Sequence, residues 1–325
     1  MHGSNSRHGG ALLELHPGSD TFVRPSMGSW VTYGLGTENR DLPGYVTICP
    51  TLTHGGVNNY TSAFLPAAYQ ATPLGNAGTA SSQVSVPFVR GTTAPGQQRM
   101  ELDLLADLDR ERTTAADAAT EGRIQSFEMA FRMQNAVPAV QDLSKETADT
   151  HAIYGIDDKA KENFGRQCLM ARRFAEAGVR FVQCTHSYKW DQHENLRKDH
   201  TNNAREVDKP IAWVRADLKR RGLLKDTLVI WGGEFGRTPV AQGKDGRDHH
   251  PHGFTVWLYG AGVKRGIVHG ATDELGFHAV ESPHYVTDIH ATVLDRLGLD
   301  GRRLVVPGRK RLDIDHGDVI KEICT

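Results

Sequence analysis

The stretch Glu162–His186, "ENFGRQCLMARRFAEAGVRFVQCTH", joins two kinds of local structure at one glycine. Glu162–Ala177 reads as an α-helix. Gly178 suits its C-terminal stop, because glycine enters the left-handed conformation that closes a helix without a Cβ clash. Val179–His186, "VRFVQCTH", then reads as a strand. The same alternation continues downstream. "NAREVDKPIAWVRADLKRRGLL" is a second helix, with Pro210 at the start of its main body. "DTLVIWGG" (Asp226–Gly233) is a continuous apolar strand of the kind buried in parallel sheets. "FTVWLYGAG" (Phe254–Gly262) is another strand, and "VTDIHATVLDRLGL" (Val286–Leu299) a late helix. Strand and helix in alternation predict an α/β fold, a mostly parallel sheet flanked by helices.

Upstream, residues 1–99 are rich in Gly, Ser, Thr, Asn and Pro, with short helices expected near Gly10–Leu15 and Ser26–Gly34. A short strand, Gly44–Cys49, runs into the turn-forming "PTLTHGG" (Pro50–Gly56). From Met100 apolar residues recur three and four apart, as in amphipathic helices. Residues 98–145 are therefore expected to be a helical excursion beside a single domain spanning 1–325.

The totals exclude several classes. With 325 residues, 38% hydrophobic and 24% charged, the composition is that of an ordinary globular protein. A formal charge of -1 offers no nucleic-acid footprint. No apolar run approaches the roughly 20 residues of a transmembrane helix, and "MHGSNSRHGG" lacks the apolar stretch of a signal peptide. The four cysteines are scattered without CxxC spacing, which suits buried small residues and neither a disulfide framework nor a zinc knuckle.

In α/β sheets ligands gather at the carboxyl ends of strands. After Val179–Cys184 comes a loop with His186, Asp191 and His193; after Asp226–Trp231, one with Glu234 and Arg237. Before Phe254 stands "DGRDHHPHG", carrying Asp245, Asp248, His249, His250 and His252. Imidazoles and carboxylates meeting at one spot are usual ligands of a transition metal, which acidifies water or polarises a phosphoryl or sulfuryl oxygen. Arg237 could clamp an anionic substrate. Each residue also has a plainer use. A loop histidine can be a hydrogen-bonded surface group, Glu234 could cap a helix, and Arg237 could pair with Glu234. His249 and His250, being adjacent, diverge.

"RPSMGSWVTYGLG" (Arg24–Gly36), Phe164–Cys184, "WDQH" (Trp190–His193), "LVIWGGEFGRTP" (Leu228–Pro239), "GRDHHPHGF" (Gly246–Phe254) and Val286–Leu299 together resemble a bacterial sulfatase-like family. That family is catalogued as a domain of unknown function within the alkaline phosphatase superfamily, and the resemblance covers nearly the whole chain. It implies an alkaline-phosphatase/sulfatase-like fold, here lacking the first strand. By the same resemblance Asp191 and His193 supply one metal position, Glu234 is an acidic ligand of a second, and Phe235 replaces the expected His or Asn. A later histidine completes the set, with His250 preferred, then His249, then His252.

At the start of the chain, Ser4 and Ser6 are nucleophile analogues, with Arg7 and His8 as anion-binding or ligand residues; the alternative is a frayed terminus. The implied activity is metal-dependent hydrolysis of sulfate or phosphate esters, with a small anionic ester or sulfated glycan as partner. Zinc or manganese is favoured over calcium, whose sites are normally all oxygen. "SRHGGALL" (Ser6–Leu13) loosely resembles the sulfatase signature around its modified cysteine but holds no cysteine for the usual formylglycine. The alternatives are a degenerate, non-catalytic member that binds metal or glycan and a purely structural envelope protein, which predicts no stoichiometric metal. Family members commonly carry a twin-arginine export signal, which implies a periplasmic or extracellular protein. Oligomeric state is not set by the sequence.

Overall fold

A computed structural model describes residues 1–87, 89–112, 118–309 and 317–325. In chain order the first elements are α1 (His8–Leu15), α2 (Met27–Leu35), β1 (Tyr45–Ile48), β2 (Thr72–Leu74), α3 (Pro95–Arg112), α4 (Ala118–Gln141), α5 (Ala148–Tyr154) and α6 (Glu162–Glu176). There follow β3 (Phe181–Cys184), α7 (Leu196–Arg220), β4 (Leu228–Trp231), β5 (Gly236–Arg237), β6 (His249–His250), β7 (Trp257–Gly260), β8 (Ala271–Thr272), β9 (Ala279–Glu281) and α8 (Val286–Arg296).

The chain is α/β. β1 lies between β2 and β3 in a three-stranded sheet, and both pairings are parallel. All four β1 residues are buried, as expected of a central strand in a parallel sheet. α2 can press closely on this sheet because Gly28 has no Cβ; one there would stand 2.6 Å from the Tyr45 ring and 2.7 Å from Phe181. α6 buries Phe164, Cys168, Leu169 and Phe174 in the core, and Gly178 takes φ +88° beyond its end. The helix–glycine–strand reading of Glu162–Cys184 thus matches the fold.

The "mostly parallel" expectation needs correction. β4 does form from the apolar run after Thr227, but it pairs antiparallel with β7, Leu228 opposite Gly260 and Trp231 opposite Trp257. Its residues are half-buried, not fully enclosed. The cause lies in the connection. A parallel return needs a crossover, usually a helix, whereas among the described residues 232–256 hold only the β5–β6 hairpin. β8 and β9 are antiparallel as well. The segment 98–145 falls on α3, α4 and the 3₁₀ turn Leu143–Lys145, with 113–117 outside the described residues.

One buried ionic knot ties α5, α6 and α7 together. Arg172 contacts Glu146 at 2.7 Å, Glu176 at 2.6 Å and Asp217 at 3.2 Å. The Asp217 side chain is 0% exposed and also accepts a hydrogen bond from Tyr154 Oη at 3.1 Å. Burial alone would raise the Asp217 pKa, but Arg220, Arg221 and Arg172 hold it below the ordinary carboxylate value.

Candidate metal centre

Three separated segments are locked face to face. Arg247 N donates to Gln192 O at 3.0 Å, and Asn195 N donates to Asp245 Oδ1 at 3.0 Å. The contact is so close at Gly246 that a Cβ there would lie 1.7 Å from the His193 carbonyl oxygen. Only glycine fits. The β5–β6 hairpin sets Arg237 opposite His249 and Gly236 opposite His250. Adjacent residues of a strand point to opposite faces, so only one of the two histidines can look towards Asp191.

That one is His249. Its Nε2 lies 3.0 Å from Asp191 Oδ1 and 3.0 Å from His193 Nε2, and His193 Nε2 lies 2.9 Å from Asp191 Oδ1. Three ligand atoms thus form a nearly equilateral triangle. The outer nitrogens of both rings are already engaged. His249 Nδ1 faces the Ser6 carbonyl at 2.6 Å, and His193 Nδ1 faces Gln242 Oε1 at 2.5 Å. Both oxygens only accept, so each Nδ1 carries the proton, and in the neutral rings each Nε2 lone pair points into the triangle. Lone pairs from three atoms converge where something positive must stand: extra protons or a cation.

Two further side chains flank Asp191. Arg237 NH2 donates to Asp191 Oδ1 at 2.7 Å and to the Trp190 carbonyl at 2.9 Å. His8, at the first position of α1, places Nε2 3.1 Å from Asp191 Oδ2 and Nδ1 2.6 Å from Glu234 Oε1. The Glu234 hydrogen bond, opposed by desolvation and helped by Asp191, raises the His8 pKa above the ordinary imidazole value. Burial would raise Glu234, yet its bond with His8, a backbone hydrogen bond and the nearby imidazoles of His8 and His16 together hold the carboxyl below its ordinary value. Asp191 is likewise held well below the usual range, because Arg237, His249 and His8 outweigh its desolvation. Phe235 stacks on the His249 ring at 4.6 Å and lies 5.1 Å from the His8 ring, fixing both planes.

Ligand atoms of His8, Asp191 and His249 all lie within 4.8 Å of one another, as do those of His193, Asp248 and His249. Asp191, His193, His249 and His8 therefore come together, with Glu234 behind His8. The remaining sequence candidates stand elsewhere. His250, preferred from the sequence over its neighbour, is buried and puts Nε2 2.5 Å from the Phe277 carbonyl. His252 packs edge-on to His250 and near His278. His186 is turned to Glu206, 2.9 Å away. Arg237 pairs with Asp191 and not with Glu234.

Ser4 Oγ is bonded to Glu14, a buried carboxylate on α1. Ser6 lends its carbonyl to His249, while among the described residues neither its hydroxyl nor the Arg7 guanidinium makes a hydrogen bond. A frayed start is not what the structure shows: Met1 N–H donates to Phe254 O, and Phe254 N–H donates to Met1 O, each at 3.0 Å. His54 and Gln242 were not singled out in the sequence. His54 packs edge-on to His8 at 5.0 Å from a left-handed backbone position, φ +53°. Its only signal was the "THGG" turn.

Fold and geometry together define an α/β protein with a His/Asp cluster suited to a metal ion. The chain matches, over residues 1–324, the family described as "Protein of unknown function (DUF1501)", and it belongs to that family. Searches of curated proteins and of solved structures return no match.

Proposed function

We propose that this protein is a metal-dependent hydrolase of sulfate or phosphate esters, with Asp191, His193 and His249 as metal ligands and His8 beside them. One observation carries the proposal: Asp191 Oδ1, His193 Nε2 and His249 Nε2 lie 2.9–3.0 Å apart, with both imidazole protons committed to the opposite nitrogens. One divalent cation satisfies all three atoms at once. Two imidazoles and a carboxylate suit zinc or manganese better than calcium. When bound, such an ion polarises the ester oxygens and acidifies water.

The surrounding residues suit an anion. α1 begins at His8, so its first amide N–H groups, which have no partner within the helix, open beside the cluster and favour negative charge. Arg7, exposed at the N-cap, adds a full positive charge. Ser6 is the serine whose backbone borders the cluster, and it replaces Ser4 as the nucleophile candidate. Arg237 acts on Asp191 as a positioning residue, not as the substrate clamp. A cation held by Asp191, His193 and His249 would stabilise charge building on the non-bridging oxygens of the ester.

The second reading, a metal- or glycan-binding member without turnover, is favoured by the Ser4–Glu14 bond, which ties up one nucleophile candidate. The test is metal analysis of the purified protein, followed by aryl phosphate and aryl sulfate assays after loading with zinc or manganese. Stoichiometric metal with turnover abolished by Asp191→Ala supports the hydrolase. Metal that Asp191→Ala removes, without turnover, supports the binding protein. Absence of stoichiometric metal, even after loading, overturns the hydrolase and the metal-binding reading alike.

A further inference from the structure

A second group of imidazoles lies outside the cluster around Asp191. It joins three segments: His269 in the loop before β8, His284 just before α8, and Glu322 in the C-terminal turn Lys321–Ile323. His269 Nε2 and His284 Nε2 are 3.0 Å apart, and a Glu322 oxygen lies within 4.8 Å of a ring nitrogen of each histidine. Two nitrogens on a tetrahedral zinc, with bonds of about 2.0–2.1 Å, stand about 3.3 Å apart. The existing spacing is therefore near that of a chelate before any movement.

The supporting contacts are those of a metal-binding histidine. His284 Nδ1 lies 3.1 Å from Asp288 Oδ2, which fixes the proton on Nδ1 and turns the Nε2 lone pair towards His269. Asp288 is itself anchored, since its Oδ1 accepts from Asp318 N at 2.9 Å. The Glu322 side chain is in no ion pair among the described residues; Lys264 Nζ instead donates to its backbone carbonyl at 2.8 Å. His269 and His284 line an open cleft of about 1180 Å³, so an ion could enter from solvent.

We propose that His269, His284 and Glu322 bind a second divalent cation of the zinc class, with Asp288 orienting His284. The ion pins the C-terminal turn to the start of α8 and to the β8 loop, and its remaining coordination positions face the cleft. The site shares no residue with the Asp191 cluster and stands or falls separately.

The experiment is a titration of chelator-treated protein with zinc, read by a competing indicator dye, and with cobalt, read by visible absorption. Wild type should take about two equivalents per chain, one for each separate set of ligands. His269→Ala should lose one equivalent and keep the other. Glu322→Gln, at an exposed position, should weaken the same equivalent at least about tenfold. His249→Ala should lose the other. Should His284→Ala fail to fold, His269→Ala and Glu322→Gln, both on surface segments, carry the test. Wild-type titration curves from both of those variants overturn the proposal. If His249→Ala titrates like wild type while His269→Ala loses an equivalent, this site stands and the Asp191 site falls.

Discussion

Replacing Glu234 separates two roles that the sequence left merged. In the structure its carboxylate meets His8 Nδ1 at 2.6 Å and belongs to neither group of ligand atoms around Asp191. It should therefore act on a metal through His8, by holding the ring and fixing its proton on Nδ1. Losing such a supporting carboxylate typically costs about 10–100-fold in metal affinity, or about 1.4–2.7 kcal/mol. Glu234→Gln retains an oxygen that can accept from Nδ1 and loses only the charge, so about tenfold is expected. Glu234→Ala loses both, and about 100-fold is expected. Competition titration with zinc measures each value. Histidine-resolved NMR of the metal-free protein supplies a second readout: the raised His8 pKa should drop when the glutamate charge is removed, since that hydrogen bond is its main cause. If Glu234→Gln abolishes binding as completely as Asp191→Ala, Glu234 is a direct ligand and the assignment is wrong. An unchanged affinity in Glu234→Ala refutes it from the other side.

The hairpin makes a sharper contrast between neighbours. His249→Ala should remove the metal at Asp191, whereas His250→Ala, whose ring bonds the Phe277 carbonyl, should cost stability but leave that metal in place; elemental analysis of the two folded variants decides. Gly246→Ala should push the 245–247 loop off the His193 carbonyl and weaken metal binding, visible in the same titration. Asp217→Ala leaves the buried Arg172 guanidinium short of a partner, so chemical denaturation should show a loss of about 3–5 kcal/mol. Asp217 has a lowered folded pKa. Its stabilisation is therefore complete above the unfolded carboxylate value of about 3.9 and is lost as pH falls through the folded value. Urea midpoints of wild type should drop in that acid window, and those of Asp217→Ala should drop less.

Local periodicity made α6, Gly178 and β3 legible, because a helix, its glycine stop and a buried strand each leave a pattern within a few residues. The direction of β4 was not legible. An apolar run looks the same in either orientation, and what decided it was the lack of a crossover helix over 232–256. Asp191, His193 and His249 were visible as residue types at strand ends, and the structure does bring them together. The choice between His249 and His250 depended on strand phase, which only the pairing of Gly236 with His250 fixes. His8 could be noticed, but its bond to Glu234 spans most of the chain. Gln242 and His54 gave no chemical signature of their own; they matter through the rings they touch.

The guanidinium of Arg237, held by Asp191 and a main-chain carbonyl, has a consequence for how the centre is filled. The charge of Asp191 is already balanced before any ion arrives, so the loops have no electrostatic reason to spring apart when empty. Loading then becomes an exchange of neighbours around one oxygen, and a chelator should strip the ion while leaving the chain folded and ready to be refilled.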